Sequence, residues 1–299
     1  VTYNNVGGGY PGGGIYVFSY NSSEINVQNS LISHNSANSG GGISINEATD
    51  NIAIFSNTIF SNNTAVNGGG GLDAFRTTLT VESCLYDSNI AQYGGGLYCG
   101  SDTVIIKNSL FINNSAPSGG GIKYYDSNSD PWKFSIINST IANNSQGITV
   151  EGIDLRLINS IVYDNENDNI VGQFEIYNSI YDQSDSPPLF VDAENGNYHL
   201  QDISNLIGAG IDSVDIDGFW YYAPSTDIEG NLRPNPEGSN PDIGAYENPL
   251  AEPAHNSLIY VSTDGNDDGS IGIEDEPFAT IQAAINYCWD GDSVLVQPG

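Results

Sequence analysis

The chain has 299 residues, of which 37 are acidic and only six are basic, so its formal net charge is −31. So acidic a surface argues against binding to nucleic acid or to anionic lipid, because both depend on clusters of lysine and arginine. No run of about 18 or more apolar residues is present, so no membrane-spanning helix is predicted.

The first part of the chain, to about residue 182, repeats itself roughly every 20–30 residues. Each unit opens on a glycine triplet, as in "GGGISINEATDNIAIFSNTIFSNNTAVN" and "GGGLYCGSDTVIIKNSLFINNSAPS". Runs such as "IAIFSNTIF" and "VIIKNSLF" are rich in β-branched residues and are typical of short strands. The triplets mark turns that need positive φ or close backbone approach. One unit cannot bury its own apolar face, so stacked units with parallel pairing are predicted.

Asparagine recurs at two positions of the repeat. The first position holds Asn29, Asn57, Asn108, Asn138, Asn159 and Asn178, with Ser83 as the exception. The second holds Asn35, Asn63, Asn89, Asn114, Asn144 and Asn165. Stacked asparagines can form amide ladders and tolerate left-handed turns, so the first set is predicted to be a structural ladder. Sugar binding is the functional alternative. Cys84 and Cys99, in consecutive units, are predicted to be small buried side chains.

The units resemble the coils of bacterial right-handed parallel β-helix surface proteins, including the polymorphic outer-membrane-protein type repeat. The resemblance rests on "GGGI" followed by "NSLF" and "NNSA". It implies an all-β fold, a right-handed single-stranded parallel β-helix over residues 1–185. It also implies an extracellular or cell-surface location, in a bacterium.

Residues 186–247 lack the regular repeat of the preceding units. They are predicted to form a segment that completes the β-helix, called the completion segment. "SPPLFVDAENGNYHL" and "DIEGNLRPNPEGSNPDIGAYE" resemble the choice-of-anchor segment that ends many secreted bacterial β-helix proteins. The segment is expected to cover the last coil, whose strands would otherwise expose an edge. Arg233 is predicted to form a salt bridge with Asp242 or Glu247. Residues 248–257, which are polar and contain two prolines, are predicted to be a linker.

Residues 258–299 are predicted to form a cap unit of strand, acidic loop, helix and strand. They resemble the amino-terminal cap of the same family, although here they follow the coils. The helix is expected in "PFATIQAAINYC", beginning at Pro277, with one apolar stripe at Phe278, Ile281, Ala284, Ile285 and Cys288. The predicted assembly interface comprises Pro277, Phe278, Ile281, Ile285 and Trp289.

The sequence leaves three arrangements of the cap unit undecided. It could join the next unit of a tandem array, dock on the first coil of a second copy to build a head-to-tail fibre, or fold back on its own first coil. A ten-residue linker spans at most ~35 Å, whereas seven to nine coils measure ~35–45 Å. The first two arrangements are therefore favoured, with another copy or an adjacent tandem repeat as partner.

The acidic loop has the spacing of a calcium loop. Asp264, Asn266, Asp268 and Asp275 fit D-x-[DN]-x-[DN]-G with an acid at the twelfth position, and such oxygens can wrap one hard cation. Asp replaces the usual Glu and no helix precedes the loop, so a solvated turn is the alternative. Asp215 and Asp217 form a weaker candidate calcium site. Calcium is the only cofactor that the sequence suggests.

Catalysis is not predicted. The fold also occurs in polysaccharide lyases and hydrolases, but basic residues are scarce and no paired-carboxylate motif lies on the coils. Lys123 is expected to be an ordinary surface charge. The favoured function is structural, as a fibre subunit or stalk segment of an adhesin-like protein. A polysaccharide-binding module or a lyase is the alternative, with surface glycans as ligands and with Tyr124, Tyr125, Trp132 and Phe134 as aromatic candidates.

Overall fold

The computed structural model describes most of the chain, namely residues 1–6, 9–18, 23–46, 51–100, 103–125, 133–181, 187–252, 257–268, 270, 272–288 and 292–298. Its first part is a parallel β-solenoid, in which each coil contributes one strand to each of three sheets. The predicted all-β parallel β-helix is thus confirmed.

The three sheets run side by side along the solenoid, and all of their strand pairs are parallel. Sheet 1 contains β1 (Ile15–Phe18), β5 (Ile43–Asn46), β9 (Leu72–Phe75), β12 (Leu97–Gly100), β15 (Ile122–Tyr125), β18 (Ile148–Glu151) and β21 (Ile170–Val171). Sheet 2 contains β2 (Glu24–Gln28), β6 (Asn51–Ser56), β10 (Thr77–Glu82), β13 (Thr103–Lys107), β16 (Lys133–Ile137), β19 (Leu155–Ile158) and β22 (Phe174–Tyr177). Sheet 3 contains β3 (Leu31–Ser33), β7 (Ile59–Ser61), β11 (Leu85–Asp87), β14 (Leu110–Ile112), β17 (Thr140–Ala142) and β20 (Ile161–Tyr163). The short strands β4 (Ser36–Ala37) and β8 (Thr64–Ala65) pair separately.

The first recurrent asparagine makes the corner between sheets 2 and 3. All six asparagines at this position, and Ser83, have φ between 43° and 51°. Asparagine is one of the few residues that adopts this left-handed conformation readily, which explains its recurrence here. The prediction of left-handed geometry is confirmed.

The amide ladder lies at the second position and not at the first, where it was predicted. Each side-chain amide at the second position donates to the next asparagine's Oδ1 at 2.9–3.0 Å, along the series Asn35, Asn63, Asn89, Asn114, Asn144 and Asn165. Asn4 and Asn169 extend the ladder at its two ends. At the first position, the described residues form one direct hydrogen bond between side-chain amides, which Asn159 donates to Asn138 at 3.3 Å. The left-handed corner turns the amides of Asn108, Asn138, Asn159 and Asn178 outward, where they bind backbone carbonyls of residues 209–242.

The core fills the space between the three sheets with one side chain per coil in each column. In the column from sheet 3, the rings of Phe60, Tyr86 and Phe111 stack at 4.6 and 4.4 Å. Cys84 and Cys99 are buried and unpaired, as expected for small core side chains. Burial raises the pKa of the Cys84 thiol to about 12, so this thiol stays protonated.

Residues 187–252 lie across the outside of the solenoid. The hairpin β23 (Phe190–Asp192) and β24 (Asn197–Leu200), with a 3-10 turn at Ala193–Asn195, packs Tyr198 on sheet 3 beside Leu110 and Ile112. The hairpin β25 (Ser213–Ile216) and β26 (Phe219–Tyr222) packs on sheet 2. The segment contacts the asparagine corner from Asn108, which is buried, to Asn178, which remains exposed. At Asn29 and Asn57 the same corner is exposed.

The stretch predicted as a linker begins in contact with this segment. Asn248 is 9% exposed and donates to Asp202 at 3.0 Å, and Leu250 packs beside the buried Ile207. Residues 253–256 lie outside the described residues.

The last part of the chain forms a small unit with its own core. β27 (Leu258–Val261) and β28 (Ser293–Val296) pair in parallel, and α1 (Ile281–Tyr287) connects them. Ile259, Val261, Phe278 and Ala284 are buried between them. The helix begins at Ile281 and not at Pro277. Thr280 caps it by accepting from the backbone of Ala283, and Asp267 accepts from the amides of Ala279 and Thr280.

Candidate functional site

The predicted assembly residues of the terminal unit separate into two groups. Phe278 is 4% exposed and lies in the unit's own core, so it is not free to contact a partner as the sequence predicted. Ile281 and Ile285 are 51% and 54% exposed on one face of α1. Pro277 is half-buried, and Trp289 lies outside the described residues. The exposed apolar side chains of this unit therefore include Ile281 and Ile285 on α1 and Leu295 and Val296 on β28.

The terminal unit lies beside the segment of residues 187–252. A cleft of about 410 Å³ separates them, lined on one side by Leu189 and Ile203 and on the other by Phe278 and Tyr287. The unit thus sits next to the segment that follows the coils in the chain.

The four predicted calcium ligands of the acidic loop line one cleft of about 350 Å³, together with Glu276 and Ser270. The side chain of Asn266 is engaged within the loop, where Oδ1 accepts from the amide of Asp268 and Nδ2 donates to its carbonyl. In the part of the chain that the structure describes, no group of three or more carboxylate, thiol or imidazole side chains is close enough to hold a metal ion. Calcium binding at Asp264, Asn266, Asp268 and Asp275 stays a prediction from their spacing.

The second candidate calcium pair lies on the hairpin β25–β26. Asp217 forms an ion pair with Arg156 at 2.6 Å, and Asp215 faces solvent opposite Trp220. Residues 215 and 217 would share one face of a regular strand, but Asp217 lies in the turn after β25, with φ 54°, and its carboxylate binds Arg156. The structure does not bring them together as ligands of one ion.

The predicted salt bridge of Arg233 is present. Its Nε lies 2.7 Å from Oε2 of Glu247, both side chains are buried, and Nη1 donates to Asn108 in the coils at 2.9 Å. Asp242 is the other predicted partner and accepts instead from the amides of Gly208 and Asn248. Burial raises the pKa of Asp242 to about 7. This network joins the completion segment to the fourth coil, so its role is structural.

A buried polar row on the outer face of sheet 1 was not foreseen. Neighbouring strands place Ser44, Asp73, Tyr98, Lys123 and Thr149 side by side at one register position. Lys123 is 4% exposed and pairs with Glu151, so it is not the ordinary surface charge expected from the sequence. Asp73 is 5% exposed, and its Oδ1 has no hydrogen-bond partner among the described residues. Burial raises the pKa of Asp73 to about 7. No residue type repeats along this row, so the sequence offered no signal for it.

The predicted aromatic candidates do not form one exposed surface. Tyr124 and Phe134 are fully buried, Tyr125 is 42% exposed, and Trp132 lies outside the described residues. An exposed aromatic pair lies elsewhere, at Trp220 and Tyr222 on β26. The dipeptide Asp217-Gly218, flanked by "SVDI" and "FWYY", is the sequence signal that could have located this hairpin.

Comparison with known proteins identifies the family. None of the described helices is long and apolar enough to cross a membrane. No curated protein and no solved structure matches the chain. The model of the right handed beta helix region matches residues 1–165, which is more than half of the chain and includes most of the stacked coils. The chain therefore belongs to the right-handed β-helix family.

Proposed function

We propose that the protein is a structural element of a bacterial cell surface or of the extracellular space. It is a stiff β-helical rod, joined to the next unit through its terminal unit, and it serves as a fibre subunit or as the stalk of an adhesin-like protein. The partner is a second copy or an adjacent tandem repeat. Surface glycans are candidate ligands of the rod.

The observation that carries this proposal is the exposed apolar face of α1. Ile281 and Ile285 are more than half exposed, although the opposite face of the same short helix packs Ala284 completely. Leu295 and Val296 on β28 add to the exposed apolar surface of this unit. Apolar side chains concentrated on one small unit are typical of an interaction surface.

The first coil offers an apolar edge on which the apolar side chains of the terminal unit could dock. β1 and β2 are the edge strands of sheets 1 and 2 among the described residues. Their inward side chains Ile15, Val17, Ile25 and Val27 pack on the core but are only half-buried. Edge strands pair readily with further strands, and a contact between unlike ends that does not close on itself generates a filament.

Stiffness follows from the coils themselves. The sheets, the buried amide ladder and the stacked rings all run along the solenoid axis, so bending would break hydrogen bonds and separate packed rings together. A continuous core of this kind suits a spacer.

The test replaces both exposed isoleucines of α1 by aspartate, Ile281→Asp with Ile285→Asp, in the full chain. We expect the native chain to form head-to-tail oligomers in sedimentation velocity and filaments in electron microscopy at high concentration. The double variant should stay monomeric, because it places charges in the apolar contact.

The matched control is Gln282→Asp with Asn286→Asp, which adds the same charge on a neighbouring exposed face of the helix. It should assemble like the native chain. Native chains that remain single particles at every concentration would contradict self-assembly and leave only the tandem arrangement.

A further inference from the structure

The hairpin β25–β26 has two faces of different character. Val214, Ile216 and Tyr221 point toward sheet 2 and pack against Ile137 and Ile158. The outer face of the hairpin carries the residues that alternate with these, namely Ser213, Asp215, Trp220 and Tyr222. Asp215 lies directly opposite Trp220, and Ser213 lies opposite Tyr222.

On this outer face the two aromatic rings form a step. Trp220 is 58% exposed and Tyr222 is 62% exposed. Their ring centroids lie 6.3 Å apart, and the ring planes differ by 26°, so the two rings present nearly parallel surfaces to solvent. On the neighbouring strand, Asp215 lies directly opposite Trp220 and Ser213 opposite Tyr222, so each ring has a residue with side-chain oxygen as its cross-strand partner.

The hairpin is held rigidly, so the rings are held in place before any ligand arrives. Asp217 and Gly218 both have positive φ, at 54° and 81°, which defines a tight two-residue turn. Arg156 on sheet 2 donates to Asp217 at 2.6 Å and to the Tyr221 hydroxyl at 3.0 Å. A rigid platform loses little conformational entropy on binding.

We propose that Trp220 and Tyr222, with Asp215 and Ser213 beside them, form a binding site for a neutral polysaccharide. The C–H face of a pyranose ring packs on an aromatic face, while its hydroxyl groups donate to a carboxylate or hydroxyl at the side. An aromatic step with adjacent acceptor oxygens supplies both contacts.

Charge and size favour this ligand over the alternatives. The chain's net charge of −31 opposes an anionic polymer. Two aromatic side chains that are about three-fifths exposed offer roughly 200–300 Å² of surface, whereas a stable protein interface needs about 800 Å² on each partner. The platform therefore fits a small or linear ligand.

The site is separate from the terminal unit and does not depend on self-assembly. It lies on the completion segment, which clamps the later coils. A rod with this platform on its side could attach to a glycan while its ends join other rods.

The test is affinity electrophoresis of the full chain in gels containing one neutral polysaccharide each, namely β-glucan, xylan, mannan or galactan. We expect at least one of them to retard the native chain. Trp220→Ala should weaken binding about tenfold, as expected for one lost stacking contact. Trp220→Phe should retain most of the affinity, and Asp215→Asn should weaken it by a smaller factor.

The control is Tyr10→Ala, which removes an exposed aromatic side chain far from the hairpin in sequence and should migrate like the native chain. Both alanine variants replace exposed side chains, and their unaltered melting temperatures would show that folding is intact. Failure of all four polysaccharides to retard the native chain would overturn the proposal. So would equal retardation of Trp220→Ala and native chains, or retardation by polygalacturonate alone.

Discussion

Asp73 is a carboxylic acid that sheet 1 holds almost without water. Ser44 and Tyr98 occupy the same register position on the two neighbouring strands, and the unpaired Oδ1 of Asp73 has no donor among the described residues to stabilise its ionised form. Desolvation therefore outweighs the help of the nearby Ser44 hydroxyl, and the pKa rises from 3.8 to about 7. An ionised carboxylate is therefore energetically unfavourable at this position.

This residue makes stability depend on pH in a defined window. Below about pH 4 the carboxyl group is protonated in both the folded and the unfolded chain, and above about pH 7 it is ionised in both. Between these values the unfolded chain ionises first, so the free energy of unfolding falls as pH rises. The full effect is at most roughly 4 kcal/mol, from about three pKa units at about 1.4 kcal/mol each.

Asp73→Asn removes this dependence. We expect the variant to gain stability relative to the native chain at pH 8.5 and to gain much less at pH 4, as measured by urea unfolding at both values. The exposed Asp154→Asn serves as control and should show little difference between the two pH values. Equal gains for Asp73→Asn at both pH values would show that Asp73 does not titrate in this window.

At the scale of the coil, sequence reasoning predicted the repeat well because repetition itself carries the signal. Glycine triplets, short β-branched runs and recurrent asparagines define where each coil turns, and the sheets follow. The role of each asparagine position was not readable, since both positions hold the same residue type. Only the backbone decides that Asn57 turns the corner at φ 47° while Asn63 points its amide along the ladder.

Asn114 tests the ladder. Its Nδ2 donates to Asn144 and to the carbonyl of Tyr86, while its Oδ1 accepts from the amide and the backbone of Asn89. Asn114→Ala leaves several of these buried groups without partners, so we expect a loss of roughly 3 kcal/mol in the free energy of unfolding. Denaturant unfolding measures the loss. Asn26→Ala, at an exposed position on β2, should change stability by less than about 0.5 kcal/mol.

The start of α1 shows why contacts distant along the chain escape sequence reasoning. Pro277 is a good first helical residue, and a helix beginning there was the reasonable prediction. Asp267, which precedes Thr280 by 13 residues, binds the amides of Ala279 and Thr280 and the Thr280 hydroxyl. These bonds hold the backbone before the helix and delay its start to Ile281.

For the whole molecule, the net charge of −31 is the dominant electrostatic fact. Mutual repulsion of carboxylates opposes compaction and is screened by salt. We expect the melting temperature to rise with sodium chloride concentration, as followed by circular dichroism. An equal osmolarity of a neutral solute should give a smaller rise.

Divalent cations extend the same measurement to the predicted calcium site. At equal ionic strength, a larger rise in melting temperature with calcium than with magnesium would indicate a specific site. Loss of that difference in Asp264→Asn with Asp268→Asn would place it in the acidic loop. Equal responses to the two cations would leave screening as the explanation.

The uneven cover of the asparagine corner has a mechanical consequence. Coils from Asn108 onward are clamped by the completion segment, whereas the corner at Asn29 and Asn57 is open to solvent. Under tension, the early coils should unfold first and one at a time, because each early coil is stabilised only by contacts with its neighbouring coil. Asn89 and Asn114 lie 25 residues apart, so one unfolded coil would lengthen the chain by roughly 80 Å. A molecule under tension would therefore unfold in steps that begin with the early coils, and each step would dissipate mechanical energy. The coils held by the completion segment would unfold last.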